Sequence, residues 1–211
     1  MEKKFELTAE CKIVLGVKLF RIRALKAIAK FSVKIGDLGG WIEKEGNLSQ
    51  DGDAWVCDDA QVYGNARVYG NAWMCGNARV YGDAWVCDDA QVYGNAWVYD
   101  SARVYDNAVV RGYAEVYGYA RVCGNAEVYG NAVVRGNADY MVFKNTWSSY
   151  RWFTYTCSNK MWAVGCFRGT GEELIKKAYA DSETSGKCYE AIVRAAEAIE
   201  AAKGEAKGGT K

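Results

Sequence analysis

Eight cysteines are the residues of this 211-residue chain with the widest chemical repertoire. A thiolate is a nucleophile and a metal ligand, but a catalytic cysteine usually needs a base such as histidine beside it. The chain has no histidine, and none of its cysteines form a C-x-x-C pair typical of zinc sites. We therefore predict no catalytic residue, no metal ligand and no cofactor, and interpret the chain as non-enzymatic.

Carboxylates offer a second route to catalysis, since an aspartate or glutamate can act as a general base. Several acidic residues form Asp-Asp pairs directly before an alanine, as in Asp58-Asp59 and Asp88-Asp89. Aspartate is common in solvated turns, so we interpret these residues as turn formers. The Gly-Gly-x-Gly-x-Asp spacing of calcium-binding β-rolls is absent.

A six-residue repeat must position half of the cysteines and half of the acidic residues. Fourteen consecutive hexads close to Ala-x-Val-x-Gly-Asn run from Ala54 to Asn137, and two weaker ones extend the phase upstream to Ile42. Within a hexad, period-two alternation directs Ala66 and Val68 inward and Arg67 outward, and a four-residue strand ends at a Gly-Asn corner. The pattern predicts a mainly β fold, a parallel β-solenoid over residues 42–137.

The repeat resembles the hexapeptide-repeat left-handed parallel β-helix, in which three hexads, about eighteen residues, form a coil. The resemblance implies about five coils. Acyltransferases with this repeat use a histidine base, which this chain lacks. The segments LFRIRAL and GDLGGWIEKEGNLSQDGDAWV also resemble a family of phage and prophage hexapeptide-repeat proteins with transferase-like repeats. That resemblance implies a cytoplasmic protein of a bacterial host and brings no catalytic residues.

Eighteen-residue coils predict which outward side chains stack on one another. The resulting faces are rich in aromatic residues and arginine, which either stabilise neighbouring coils or bind a partner. The candidate partner-binding residues in the repeats are Trp97, Tyr63, Tyr81, Tyr99, Tyr117, Arg67, Arg103 and Arg121. A fifteen-residue segment, Gly52–Ala66, recurs thirty residues later as Gly82–Ala96, which is five hexads. The two copies should therefore lie on different faces, which favours modular growth over a built pocket.

The ends of the chain depart from the repeat. Residues 1–41 contain three short strand patterns and are predicted to cap the solenoid. Residues 138–202 are predicted to form a β-hairpin, with strands at 151–157 and 161–167, and two helices, at 170–180 and 185–202. Residues 203–211 are polar and glycine-rich, and a disordered tail is expected. The candidate contacts in this region are Tyr150, Arg151, Trp152 and Lys160.

Charge is unevenly distributed: residues 1–35 carry +6, residues 36–137 carry −7 and residues 138–211 carry +2. An acidic solenoid argues against general nucleic-acid binding, and no segment is apolar enough to span a membrane. Cys57 and Cys75, eighteen residues apart, are close enough in the expected coil for a disulfide, although a reducing cytoplasm favours free thiols.

These observations favour a scaffold or protein-interaction module, an accessory protein of phage or prophage. Three alternatives stay open: an inhibitor of a host or defence protein, an acyl- or nucleotidyl-type transferase without histidine, and a homo-oligomer. A protein partner is expected for the interaction module and for the inhibitor, but the sequence does not identify it.

Overall fold

The computed structural model describes residues 3–208, with side chains described as far as residue 203. The chain divides into two compact units, residues 1–137 and 138–211. Within residues 3–137 the strands are β1 Phe5–Val14, β2 Val17–Ala24, β3 Leu38–Ile42, β4 Trp55–Val56, β5 Gln61–Val62, β6 Arg67–Val68, β7 Trp73–Met74, β8 Arg79–Val80, β9 Trp85–Val86, β10 Gln91–Gly94, β11 Trp97–Val98, β12 Arg103–Val104, β13 Val109–Gly112, β14 Glu115–Val116, β15 Arg121–Val122, β16 Glu127–Val128 and β17 Val133–Val134.

Strands β3 to β17 form a parallel β-solenoid of about five coils, which confirms the predicted fold class. From β4 onward, each strand pairs with the strand three places further on, eighteen residues away, as Trp55 does with Trp73 and Trp85 with Arg103. The three resulting sheets have the orders β3-β5-β8-β11-β14-β17, β4-β7-β10-β13-β16 and β6-β9-β12-β15. Their inward alanines and valines are buried, as at Ala96 and Val98, and form the core. The left-handed winding stays a prediction.

The corners explain why the strands are shorter than expected. Most repeat strands have two residues instead of four, because the alanine that opens each hexad takes part in the turn: the Ala66 N–H donates to the Tyr63 carbonyl at 3.4 Å. The first corner residue has left-handed backbone, with φ of 69° at Gly70 and 53° at Asp58. Aspartate tolerates this region better than most residues, so it replaces glycine at these corners, whereas the following asparagines do not adopt it.

The first coil departs from the predicted phase. Ile42 pairs with Val62 and Leu48 with Val68, a separation of twenty residues instead of eighteen. The two weak hexads therefore place Ile42 and Leu48 where the later hexads place valine. The extra residues lie in a wider corner after Leu48, where the Gln50 side chain accepts hydrogen bonds from the backbone N–H groups of Lys4 (2.8 Å) and Phe5 (3.2 Å).

The N-terminal segment continues one sheet of the solenoid. β1 and β2 form an antiparallel hairpin, and β2 pairs with β3, so this sheet has eight strands with β1 at its edge. The three predicted strand patterns become two strands, because the first two join in β1 through a register irregularity between Leu7 and Cys11. Leu19 of this hairpin packs on Trp41 and Tyr63, so the segment covers the first repeat tyrosine.

The second unit combines an antiparallel sheet with two helices. Its strands, in the order β18-β19-β20-β21, are β18 Tyr140–Lys144, β19 Trp152–Thr156, β20 Met161–Val164 and β21 Phe167–Gly169. β19 and β20 form the predicted hairpin. Helix α1 spans Gly171–Asp181 and begins at the predicted cap, where the Thr170 hydroxyl accepts a hydrogen bond from the Glu173 N–H at 3.3 Å. Phe153, Trp162 and Val193 lie in the core of this unit.

Helix α2 spans Glu183–Gly208 and continues through residues where the sequence predicts a disordered tail. The stretch after Ala202 contains Lys203, Glu205, Ala206 and Lys207, which are strong helix formers. Propagation of an existing helix adds one hydrogen bond per residue, so these residues outweigh Gly204. Residues 209–211 of the predicted tail lie outside the described residues.

Candidate partner-binding face

The tyrosine ladder, Tyr63, Tyr81, Tyr99 and Tyr117, lies along the carboxyl ends of strands β5, β8, β11 and β14 in the eight-stranded sheet. Successive ring centroids are 5.0, 5.0 and 4.8 Å apart, and the rings are parallel to within 12°. Tyr63 is buried and the other three are half-buried. The rings therefore present mainly their edges to solvent, and their stacking stabilises adjacent coils. This geometry favours the stabilising interpretation for the ladder.

Alkaline titration should report this stacking. Burial raises the pKa of Tyr81 from its usual 10.0 to about 12, and burial also raises the pKa of Tyr63. Below pH 10 the Tyr81 phenol is protonated in both states, whereas between pH 10 and 12 only the unfolded chain releases its proton. The free energy of unfolding should therefore fall over this range, and fall less steeply in Tyr81→Phe. Denaturant unfolding at several pH values measures both slopes, and equal slopes would contradict the assignment.

Trp97 is exposed beside the ladder, in strand β11. The Arg79 guanidinium carbon lies 5.2 Å from the centroid of its ring, and the two residues are directly paired across neighbouring strands. The hydroxyl of Tyr99, two residues after Trp97 in the same coil, donates a hydrogen bond to the Glu115 carboxylate at 3.2 Å. Arginine and glutamate thus both border this tryptophan, so the local charge is mixed.

A second set of outward residues forms the arginine column, Arg67, Trp85, Arg103 and Arg121. Strand pairing places them in this order on β6, β9, β12 and β15, with about 4.8 Å between successive strands. The Arg103 guanidinium carbon lies 4.5 Å from the centroid of a Trp85 ring. The Tyr69 ring meets Trp85 edge-on, at 6.2 Å between centroids. The three arginines are exposed and Trp85 is half-buried.

A recess lies beside Arg67, the first residue of this column. Two adjoining cavities, of about 540 and 680 Å³, share Arg67 and Trp85 in their walls. The recess exists because Asn47, the residue above Arg67, turns its side chain inward, where its amide donates to the carbonyls of Gly64 (3.1 Å) and Ala66 (2.9 Å). No outward side chain therefore stands above Arg67.

The electrostatics of the recess are set by arginine. Within residues 3–208, neither the Arg67 nor the Arg103 guanidinium forms an ion pair with a carboxylate, whereas Arg111 in a neighbouring sheet pairs with Glu127 at 2.6 Å. Lys44 adds positive charge to the wall, and Asp83 and Glu45 are acidic residues in it. Two exposed guanidiniums beside a tryptophan can bind carboxylates in two-point contacts and also stack on planar groups.

The thiols near these faces are poor nucleophiles. Burial raises the pKa of Cys87, which lies beside Tyr69 and Trp85, and the nearby Asp88 carboxylate raises it further. Burial also raises the pKa of Cys75 and of Cys157. These groups are protonated at neutral pH and have no histidine to activate them. The cysteines of the described chain are free thiols.

The candidate residues of the second unit do not form one cluster. Tyr150, Arg151 and Trp152 are exposed at the start of β19, and the Lys144 ammonium lies 4.9 Å from the centroid of the Trp152 ring. Lys160 is exposed in the turn between β19 and β20, at the opposite end of the hairpin. Tyr150 and Lys160 both have left-handed backbone, with φ of 53° and 54°.

The residues predicted from sequence to bind a partner do not include Trp85. The alignment of outward residues at eighteen-residue intervals is the signal that identifies it, since it is the aromatic member of the arginine column. The recess, and the place of Lys44 in its wall, depend on the wider corner after Leu48 and on the inward side chain of Asn47. No repeat pattern indicates either feature.

Comparison with known proteins supports the repeat assignment. The chain is similar to the family described as YdcK beta solenoid repeat over residues 60–76, 74–88, 90–104 and 120–138, which together make up less than half of the chain. No curated protein matches it. Within residues 3–208, no helix combines the length and apolar character needed to cross a membrane. The chain is thus a β-solenoid repeat protein similar to that family across its middle coils.

Proposed function

We propose that this chain is a non-catalytic β-solenoid that binds a protein partner through the arginine column. The observation that supports the proposal is the exposed pair Arg67 and Arg103 on either side of Trp85, neither of which forms an ion pair with a side chain in the part of the chain that the structure describes. Arginine and tryptophan are enriched among the residues that contribute most to protein interfaces. The recess beside Arg67 gives the partner a concave point of attachment.

The chemistry of the column favours a partner segment with exposed carboxylates. Residues 36–137, which contain the repeats, carry a net charge of −7, so an anionic partner approaches most favourably where arginines are concentrated. The fixed spacing of about 4.8 Å between coils suits an extended segment that lies along the column. An aromatic or aliphatic side chain of the partner would pack on Trp85 inside the recess.

The resemblance to phage and prophage repeat proteins supports an accessory role in the cytoplasm of a bacterial host, as scaffold or as inhibitor. Both roles use the same surface and differ in the partner. A scaffold would bind a protein encoded with it, whereas an inhibitor would bind a host or defence protein. The identity of the bound protein therefore distinguishes them.

The test is affinity capture from bacterial lysate, with and without phage infection, followed by mass spectrometry. We expect the wild-type chain to retain one protein in stoichiometric amount, and Arg67→Ala/Arg103→Ala to lose at least about 2 kcal/mol of binding free energy. Arg79→Ala is the matched control, because Arg79 also stacks on a tryptophan but on another sheet.

Capture that Arg79→Ala preserves and the double variant loses would support the proposal. Equal retention by both variants would contradict it, as would a wild-type chain that retains no protein above bare resin. A third variant, Trp97→Ala/Tyr99→Ala, tests the neighbouring face: loss of capture in that variant alone would move the interface to the tyrosine ladder.

A further inference from the structure

Two cysteines meet at one corner of the solenoid because of the coil length. Trp55 pairs with Trp73 and Val56 with Met74, so the following residues, Cys57 and Cys75, are neighbours on adjacent coils. Both are half-buried free thiols. The Cys57 thiol donates to the Met74 carbonyl at 3.1 Å. The two cysteines are eighteen residues apart in sequence, so spacing rules for short metal motifs do not detect the pair.

A carboxylate completes the group. Asp58 occupies the left-handed corner position, with φ of 53°, and this backbone directs its carboxylate toward the next coil. Its Oδ2 accepts hydrogen bonds from the Cys75 thiol at 2.6 Å and from the Gly76 N–H at 3.1 Å. The second bond fixes the carboxylate in place. One ligand atom from each of Cys57, Asp58 and Cys75 lies within 4.8 Å of the others.

These separations suit a tetrahedral ion with two sulfur ligands. Zn–S bonds of about 2.3 Å require sulfur atoms about 3.8 Å apart in a tetrahedral site, and the ligand atoms of this group all lie within 4.8 Å of one another. Three protein ligands leave a fourth position for water, on the solvent side, where Asp58 is exposed.

The duplicated segment provides an internal comparison. Gly52–Ala66 and Gly82–Ala96 have identical sequences, so Cys87 and Asp88 repeat Cys57 and Asp58, with the same left-handed corner at Asp88. The residues one coil away from Cys87 are Tyr69 and Tyr105, where Cys57 has Cys75. The second copy therefore has one thiol and one carboxylate and lacks the second sulfur ligand.

We propose that Cys57, Asp58 and Cys75 bind a thiophilic divalent cation, with Zn²⁺ as the physiological ion. Binding replaces the two thiol protons, which are released to solvent, with two metal–sulfur bonds and one metal–oxygen bond. The ion would link two adjacent coils at the corner that follows strand β4. This revises the expectation from sequence that the chain holds no metal.

The test is titration of the full-length reduced chain with Cd²⁺, followed by thiolate-to-metal charge-transfer absorption, and with Zn²⁺ in competition. We expect one equivalent of Cd²⁺ per chain, displaced by Zn²⁺. Cys57→Ser and Cys75→Ser should each weaken binding at least about tenfold, and Asp58→Asn should weaken it less. Cys87→Ser and Asp88→Asn, the matched changes in the second copy, should leave binding unchanged.

Thermal unfolding with and without Zn²⁺ gives a second readout, since an ion that binds only the folded chain raises the unfolding temperature. Serine preserves the hydrogen bond of Cys57 and keeps the variants folded, which circular dichroism checks. The proposal is wrong if the reduced chain binds no Cd²⁺. It is also wrong if Cys87→Ser weakens binding as much as Cys57→Ser.

Discussion

Replacing Val98 by Asp should lower the free energy of unfolding of the solenoid by about 4 kcal/mol or more. Val98 is fully buried in the central strand β11, directly between Val80 and Val116 on the neighbouring coils. The interior at this level consists of alanine and valine side chains, which offer no hydrogen bond to a carboxylate. Burial of a charged group without a partner is among the costliest changes that a single substitution makes.

The adjacent residue supplies the control. Trp97 precedes Val98 in the same strand but points outward and is 37% exposed, so Trp97→Asp should cost much less. Guanidinium unfolding followed by circular dichroism measures both variants. The loss in Val98→Asp should also shrink in acid, where the carboxyl group is neutral. Similar losses at the two positions would contradict the inward and outward assignment of the hexad.

Replacing Trp162 by Ala should lower the free energy of unfolding of the second unit by about 3–5 kcal/mol. Trp162 is 1% exposed. Its ring lies 4.9 Å from that of Tyr155 and 6.0 Å from that of Phe143, measured between centroids, and meets Phe153 edge-on at 6.4 Å. Truncation removes the largest side chain of this core and leaves a cavity that the surrounding sheet fills only in part.

Trp152→Ala is the matched control in the same sheet. Trp152 is 38% exposed, and the Lys144 ammonium lies 4.9 Å from the centroid of its ring, so its truncation should cost about 1 kcal/mol or less. Near-ultraviolet circular dichroism follows the aromatic core during unfolding. The account of this core would fail if the two variants were equally destabilised.

The solenoid could be predicted from sequence because each hexad repeats the same pattern of inward, outward and corner residues. Alternating inward alanine and valine, with a glycine or aspartate corner, predicts short strands and their inward faces. The eighteen-residue register of pairs such as Arg67 and Trp85 follows from the resemblance to the left-handed β-helix, which implies three hexads per coil. The shift of the first coil could not be predicted in this way. Ile42 and Leu48 keep the six-residue period, and the two added residues depend on the contact between Gln50 and Phe5 of strand β1, which is forty-five residues away in sequence.

The candidate sites show a similar division. The order of the arginine column follows from the six-residue period together with the three-hexad coil that the resemblance implies, and the sequence prediction contained all three arginines. The recess does not follow from it, because it depends on the inward side chain of Asn47. The Cys57, Asp58 and Cys75 group requires both the coil length and the left-handed corner at Asp58, so it is recognised only when the thiol and carboxylate positions are known together.

Binding of a protein partner by the arginine column is tested most directly by titration of the purified captured protein against three chains: wild type, Arg67→Ala/Arg103→Ala and Arg79→Ala. The account predicts that the double variant binds at least about thirtyfold more weakly than wild type, which is about 2 kcal/mol, and that Arg79→Ala binds as wild type does. Equal affinities of all three chains, or a larger loss in Arg79→Ala, would contradict it.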